Sequence, residues 1–138
     1  MWRRARERLQ PRQSLAAPLA PLETGEQLAH ELNQSEKSRV QIEHFSKRFP
    51  EMTIEDGYRI NRAWMQLQYA DGRRAIGHKI GLTSRAMQMA SQIDEPDYGT
   101  LLDNMLVENG AKIPHSNYCV PRVGLELTFV LGKDLKGP

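Results

Sequence analysis

Residues 77–84 read Gly77-His78-Lys79-Ile80-Gly81-Leu82-Thr83-Ser84, and this order predicts a short strand, a tight turn and the start of a helix. The strand is expected over residues 75–81, and Thr83 or Ser84 is expected to cap a helix that reaches about Gln92. Lys79 would then lie at the strand end, beside the free backbone N–H groups of a helix N-terminus, where anions are favoured. The pattern alone also allows Lys79 to be an ordinary solvated surface lysine.

A second stretch, Glu95-Pro96-Asp97-Tyr98-Gly99, is predicted to be a stiff loop. Pro96 restricts the preceding residue to an extended conformation, and Gly99 permits a sharp exit from the loop. Such a loop would present Asp97 and Tyr98 near Lys79. Asp97 is therefore a candidate general base, although it could equally be a turn residue that bonds to its own backbone.

Helices are predicted on the N-terminal side of this region. Thr24 followed by Gln27 matches a capping box, and helical segments are expected through about Ser46. Thr53 is predicted to cap a second helix, which Asp71-Gly72 closes with a turn signal. The chain before residue 75 is therefore expected to be mainly helical.

The clearest strand pattern lies at residues 123–131, where apolar side chains alternate with other residues. Glu126 falls on the face opposite the apolar set. A carboxylate in that position is solvated, paired or bound to a metal, and solvation is the simplest of the three. Asn109-Gly110 is the strongest hairpin signal in the sequence.

Composition limits the function classes. The chain has 138 residues, 39% of them hydrophobic and 26% charged, which suits one globular domain. It has no apolar run of the roughly 18 residues that cross a bilayer, so a soluble protein without a membrane partner is expected. The net charge is +2, and the arginines crowd the first 12 residues. Without them the chain is slightly acidic, which argues against a nucleic-acid surface.

Two further expectations concern the N-terminal residues and the single cysteine. Residues 1–22 are rich in Arg and Pro and are expected to be a disordered extension; an organelle transit peptide is the alternative. Cys119 is the single cysteine, so no internal disulfide can form and a cytoplasmic location is the default.

Several of these stretches occur together in a known family. The sequence from about Glu26 to Pro138 closely resembles the N-terminal half of the 2-keto-4-pentenoate hydratase and 2-oxohept-3-ene-1,7-dioate hydratase family, a branch of the fumarylacetoacetate hydrolase-like superfamily. The stretches that carry the resemblance occur in the same order at plausible separations, and they are residues 53–58, 77–84, 95–99, 101–103, 120–122 and 126–127.

The resemblance implies an α+β fold, with N-terminal helices followed by a β-rich domain over residues 23–138 that is truncated relative to the family. It also implies a divalent cation, Mg²⁺ or Mn²⁺, held by three acidic side chains. Glu126 matches one of these ligands. Gly124 occupies a position where relatives carry glutamate, and the third ligand would fall beyond Pro138.

The implied function is a hydratase that adds water to an unsaturated 2-oxo acid, such as 2-oxohept-3-ene-1,7-dioate, in the catabolism of aromatic compounds. Lys79 and Asp97 are the implied catalytic residues, and Ser84, Tyr98 and Arg122 could bind the substrate. A decarboxylase or a C–C hydrolase of the same superfamily is one alternative. A catalytically silent fragment that serves as a partner subunit is another. The full-length protein is expected to be a homo-oligomer acting on a small molecule.

Overall fold

The structure is a computed structural model that describes residues 22–135, and it contains a helical layer and a small sheet. Residues 1–21 are not among the described residues, so the expectation that they form a disordered extension or a transit peptide stays a prediction. The helices and strands occur in the order α1 (Leu22–Ser38), α2 (Phe45–Arg48), α3 (Ile54–Ala70), β1 (Ala75–Gly81), α4 (Arg85–Ser91) and β2 (Asp97–Leu102), and short 3-10 helices follow at Asp103–Met105 and His115–Asn117.

The core of the helical layer lies between α1 and α3. Leu28, Ala29 and Ile60 are buried at its centre. The apolar residues of α3 recur at helical spacing, so one face of this helix meets α1. Partly buried side chains surround this centre, namely Leu32, Phe45, Phe49, Met52, Ala63, Trp64 and Leu67. Burial of this apolar surface is the main favourable contribution to the packing of the two helices.

Polar contacts add specificity to the same interface. The Gln68 side chain is 5% exposed, and its Nε2 donates to Asn33 Oδ1 at 3.0 Å and to Glu36 Oε2 at 2.8 Å. Near the ends of the two helices, Lys37 Nζ lies 2.6 Å from Asp71 Oδ2. Because a buried amide is costly without partners, these bonds favour one alignment of α1 on α3.

The predicted start and end of α3 are confirmed. Thr53 Oγ1 accepts a hydrogen bond from the Asp56 N–H at 3.2 Å, and Asp56 Oδ2 accepts one from the Thr53 N–H at 3.0 Å. Asp71 is the C-cap, and Gly72 follows with φ +86°. The prediction that Thr24 caps α1 is wrong, because this helix already begins at Leu22.

The predicted strand and helix of the 77–84 region are also confirmed. β1 has the expected bounds, and Ser84 Oγ caps α4 by accepting from the Met87 N–H at 3.3 Å. α4 ends where Gln92 adopts a left-handed conformation with φ +57°. Local turn and capping chemistry therefore fixes this part of the chain.

The prediction that Asp97 and Tyr98 lie in a loop is wrong. β2 begins at Asp97 and pairs with β1 in an antiparallel ladder, in which Gly81 is opposite Asp97 and Ile80 is opposite Tyr98. Pro96 stands just before the strand, where its missing N–H removes no ladder bond. The backbone of Asp97 is therefore held by sheet pairing.

The prediction of a strand over residues 123–131 is wrong as well. This segment forms no strand, and Val123 and Leu125 are fully exposed. A strand requires a hydrogen-bonded neighbour, and β1 and β2 form a two-stranded sheet in the described part of the chain. Asn109-Gly110 makes a turn with Gly110 at φ +80°, but no strands flank it. The α+β class holds for residues 22–135, which are richer in helix than in strand.

Within residues 22–135, no helix combines the length and the apolar character needed to cross a membrane.

Candidate functional site

One face of the two-stranded sheet carries both predicted catalytic side chains. In the register of the ladder, Lys79 is opposite Gly99 and Gly81 is opposite Asp97. Directly opposed residues project to the same face, and residues two apart on one strand share that face. These four residues therefore define one surface, called here the Lys79 face. Lys79 and Asp97 are diagonal neighbours on it, and the Cα atoms of such neighbours on adjacent strands are typically about 7–8 Å apart, within reach of a long side chain.

Glu126 reaches this surface from the C-terminal segment. Its Oε1 lies 3.2 Å from Lys79 Nζ, and the two side chains are 61% and 52% exposed. An exposed ion pair of this kind contributes about 0–1 kcal/mol to stability. The pair is therefore weak enough to exchange, and an anionic ligand can take the place of the Glu126 carboxylate beside Lys79.

Asp97 lies very close to Gly81 across the ladder. A Cβ added at Gly81 would overlap Asp97 Oδ1 and would lie 3.1 Å from its Cγ. The Asp97 side chain thus leans over the Gly81 backbone, and this is possible because Gly81 has no side chain. Sequence reasoning assigned no role to Gly81, although this residue belongs to the 77–84 stretch.

The opposite side of β2 contacts the helical layer. The rings of Tyr58 and Tyr98 stack with their centroids 4.8 Å apart at an interplanar angle of 20°, and Tyr58 Oη accepts from the Tyr98 N–H at 3.4 Å. Stacked aromatic pairs contribute roughly 0.5–1.5 kcal/mol beyond their buried area. Tyr58 lies on α3, and its contacts with Tyr98 therefore hold the start of β2 against this helix. Its role was not predicted, although it ends the 53–58 stretch that carries the family resemblance.

A cavity of about 240 Å³ adjoins this stack, between the start of α3 and the start of β2. It is mostly apolar, and Asn61, Glu95 and Asp97 add polar groups to its lining. The remaining lining residues are Ile54, Gly57, Tyr58, Ile93, Pro96 and Tyr98. Asp97 therefore borders both the cavity and the Lys79 face.

Two other predicted site residues lie outside the Lys79 face. Ser84 Oγ accepts a bond from the Met87 backbone, so this hydroxyl serves first as the cap of α4. Arg122 is exposed, and its guanidinium forms no ion pair within residues 22–135. The structure thus pairs Lys79 with Glu126 and puts Asp97 on the same face of the sheet, and it does not bring Ser84, Tyr98 or Arg122 to that face.

Sequence comparison gives the family of this chain. No family model matches it. The chain is 54% identical over 111 residues to the 2-oxo-hept-4-ene-1,7-dioate hydratase of Escherichia coli, and this match covers 80% of the chain and 42% of that relative. The chain is a partial member of the 2-keto-4-pentenoate hydratase family. A 2-keto-4-pentenoate hydratase of Paraburkholderia xenovorans strain LB400 is 40% identical over 110 residues, which cover 80% of the chain and 41% of the relative.

Comparison with solved structures finds a similar fold in part of a decarboxylase. The 4-oxalocrotonate decarboxylase of Pseudomonas putida G7 matches with a TM-score of 0.61 and 30% identity, over 64% of this chain and 34% of that one. Two solved structures of that decarboxylase are complexes with calcium and acetate and with magnesium and adipate. The chain spans about two fifths of the length of these two hydratases.

The described residues of this hydratase-family chain do not make a complete site for a divalent cation. Glu126 is the carboxylate at the expected position, and it is paired with Lys79. Gly124 offers no ligand, and residues 22–135 contain no cluster of three or more His, Cys, Asp or Glu side chains suited to a metal. Mg²⁺ is held by oxygen ligands and loses its waters reluctantly, so one paired carboxylate does not suffice. The role of Glu126 as a metal ligand stays a prediction.

Proposed function

We propose that this chain is part of a hydratase that adds water to an unsaturated 2-oxo acid in the catabolism of aromatic compounds. The observation that carries the proposal is the sheet register, which puts Lys79 and Asp97 on one face, with an exchangeable carboxylate from Glu126 beside the lysine. The similarity to an enzyme named 2-oxo-hept-4-ene-1,7-dioate hydratase supports this reaction class. A cation and a base side by side suit a reaction in which negative charge develops on the substrate.

Lys79 provides the positive charge of the proposed site. Its amine binds the carboxylate or the 2-oxo oxygen of the substrate, and in doing so it exchanges the Glu126 carboxylate for a substrate anion. Electron density moves towards the 2-oxo oxygen when the substrate forms an enolate, and the ammonium group stabilises that charge. The site therefore favours the charged intermediate over the neutral ketone.

Asp97 moves the proton. A substrate with a 4-ene first becomes the conjugated 3-ene, when a proton lost from C3 returns at C5. Asp97 then takes a proton from the attacking water and returns one to carbon, so that the hydroxyl joins C4 and the hydrogen joins C3. The product is a 4-hydroxy-2-oxo acid, and Asp97 ends the cycle in the protonation state in which it began. Placement on a strand gives its backbone a fixed position, which this transfer requires.

The other predicted substrate contacts have separate roles in this proposal. Tyr98 borders the cavity next to Asp97, where it can meet the part of the substrate that does not react. Ser84 uses its oxygen to cap α4, but its O–H remains able to donate to a carboxylate. Arg122 would bind a second carboxylate. The additional ligands of a divalent cation would have to come from outside the described residues, and the roles of Lys79 and Asp97 do not depend on them.

A decarboxylase is the second candidate, and the fold match with a 4-oxalocrotonate decarboxylase supports it. Lys79 and Asp97 could equally stabilise the enolate that forms when a carboxylate leaves as CO₂. Higher identity to a hydratase, 54% against 30%, favours hydration. The products separate the two reactions, because hydration retains every carbon of the substrate.

The test is an assay of the chain with 2-oxo-hept-4-ene-1,7-dioate, in which loss of the substrate, the hydroxylated product and CO₂ are all measured. We expect Lys79→Ala and Asp97→Asn each to reduce hydration by about 100-fold or more, as is usual when acid–base or charge-stabilising groups are removed. Lys47→Ala is the matched control, because Lys47 is an exposed lysine on α2. Full activity in Lys79→Ala contradicts the proposal, and an inert parent chain supports the silent partner subunit.

A further inference from the structure

We propose that Gly81 is a positioning residue for Asp97: its missing side chain leaves the space that the Asp97 carboxylate occupies on the Lys79 face. The structural part of this inference stands on the geometry of the ladder. Its catalytic consequence rests on the proposed role of Asp97 in hydration.

The distances around Gly81 carry the inference. A Cβ built on Gly81 would overlap Asp97 Oδ1, and it would lie 3.1 Å from Cγ and 3.5 Å from Oδ2. Cβ atoms essentially never approach another heavy atom within 3.0 Å, so the carboxylate and a side chain at position 81 cannot share this space. The Asp97 backbone is fixed by pairing with Gly81, so the Asp97 side chain must rotate away.

Other glycines of the sheet lack this relationship. A Cβ on Gly77 would make an ordinary contact with Leu101 Cδ1 at 3.9 Å, and a Cβ on Gly99 would meet nothing within 4 Å. Within residues 22–135, the glycines with positive φ are Gly72 and Gly110, which lie in turns. Gly81 is therefore needed for space rather than for a backbone conformation that only glycine adopts readily.

The position of the carboxylate determines what it can do. Leaning over Gly81, the Asp97 carboxylate stays on the side of the sheet that carries Lys79. A methyl group at position 81 pushes it into another rotamer, because the methyl carbon and Asp97 Oδ1 cannot occupy the same space. A displacement of about 1 Å in a reacting group can cost about 100-fold in rate. Alanine at position 81 should therefore impair proton transfer without removing any reacting group.

The test is a double-mutant cycle with Gly81→Ala, Asp97→Ala and the combined variant, and Gly77→Ala is the matched control on the same strand. We expect Gly81→Ala to lower kcat about 100-fold with little change in KM, and Gly77→Ala to leave both constants unchanged. In the Asp97→Ala background, Gly81→Ala should cause no further loss, because no carboxylate is left to displace. Equal losses in Gly81→Ala and Gly77→Ala, or additive losses in the cycle, would overturn the inference.

A second readout does not depend on activity. The side-chain carboxyl carbon of Asp97 is observed by ¹³C NMR at fixed pH in the parent chain, in Gly81→Ala and in Gly77→Ala. We expect its resonance to shift in Gly81→Ala and to stay in place in Gly77→Ala. An unchanged resonance in Gly81→Ala refutes the positioning role even if the parent chain is inert. If Asp97→Ala hydrates as fast as the parent chain, the proposed function fails, and the resonance alone decides the role of Gly81.

Discussion

At the scale of single residues, Gly124 adds no carboxylate beside Glu126, the residue that is paired with Lys79. A Cβ on Gly124 would lie 3.4 Å from Glu126 Oε1, so a side chain at position 124 would project towards the same carboxylate. Gly124 has no positive φ, and its backbone therefore accepts other residues. The family resemblance implies glutamate at this position, and its absence removes a second hard oxygen ligand.

We expect Gly124→Glu to tighten Mg²⁺ binding relative to the parent chain, because two neighbouring carboxylates can share one hard cation. Isothermal titration calorimetry with MgCl₂ measures the change. Gly132→Glu is the control: it adds the same charge in the same segment, at a glycine with no neighbour within 4 Å. Equal affinities for the two variants would show that a second carboxylate beside Glu126 does not build the site.

At the scale of elements, an ion pair joins α1 and α3 near their C-terminal ends. The hydrogen bond from Lys37 and the charge of Lys37 hold the pKa of Asp71 below its usual value. A carboxyl group whose pKa is lower in the folded chain stabilises the fold above its unfolded pKa, which is about 3.9 for Asp. This stabilisation is lost as the pH falls through the lower, folded pKa.

Lys37→Ala should therefore be less stable than the parent chain at pH 5, and the difference should narrow at pH 3. Urea unfolding followed by circular dichroism at both pH values measures it. Lys47→Ala, on an exposed lysine of α2, should show no such pH-dependent difference. A gap between Lys37→Ala and the parent that stays constant with pH would mean that Lys37 acts through packing rather than through Asp71.

The elements that sequence reasoning found are those set by local chemistry. The Thr53 cap, the bounds of β1 and the Ser84 cap each depend on residues within a few positions of one another. The missed features depend on distant parts of the chain. Asp97 joins a strand because its partner is Gly81, and Tyr58 meets Tyr98 across 40 positions. Periodicity cannot supply such partners, so it could not tell β2 from a loop.

The segment at residues 123–131 also lacks the partner that a strand needs. Its alternation is typical of a strand, but alternation describes which side chains share a face and not whether a neighbouring strand is present. The family resemblance, and not the periodicity, predicted that Lys79, Asp97 and Glu126 belong to one site. Their proximity follows from the register and from the return of the C-terminal segment, which are both long-range features.

At the scale of the whole molecule, a band of apolar side chains is exposed along the C-terminal segment. Val123, Leu125 and Leu127 are at least 90% exposed, and Phe129 is 83% exposed. Apolar patches of this kind mark interaction surfaces, and extended segments without a partner associate readily with other strands. The chain is therefore expected to self-associate through this segment.

We expect the doubly substituted variant Leu125→Lys, Leu127→Lys to be more monomeric than the parent chain at the same concentration, because it replaces exposed apolar surface with charge. Sedimentation velocity over a concentration series measures the change. Thr128→Lys is the control, since it adds positive charge to the same segment without removing a large apolar group. A parent chain that is monomeric throughout the series would contradict the expectation.

The stacked rings of Tyr58 and Tyr98 have a consequence for how sequences of this family can diverge. One ring belongs to the helical layer and the other is the immediate neighbour of Asp97 on β2. A change in either ring removes the packing partner of the other, so selection acts on the two positions as a pair. Among relatives, positions 58 and 98 should covary, and part of the evolutionary constraint on the Asp97 strand should therefore be visible in a helix.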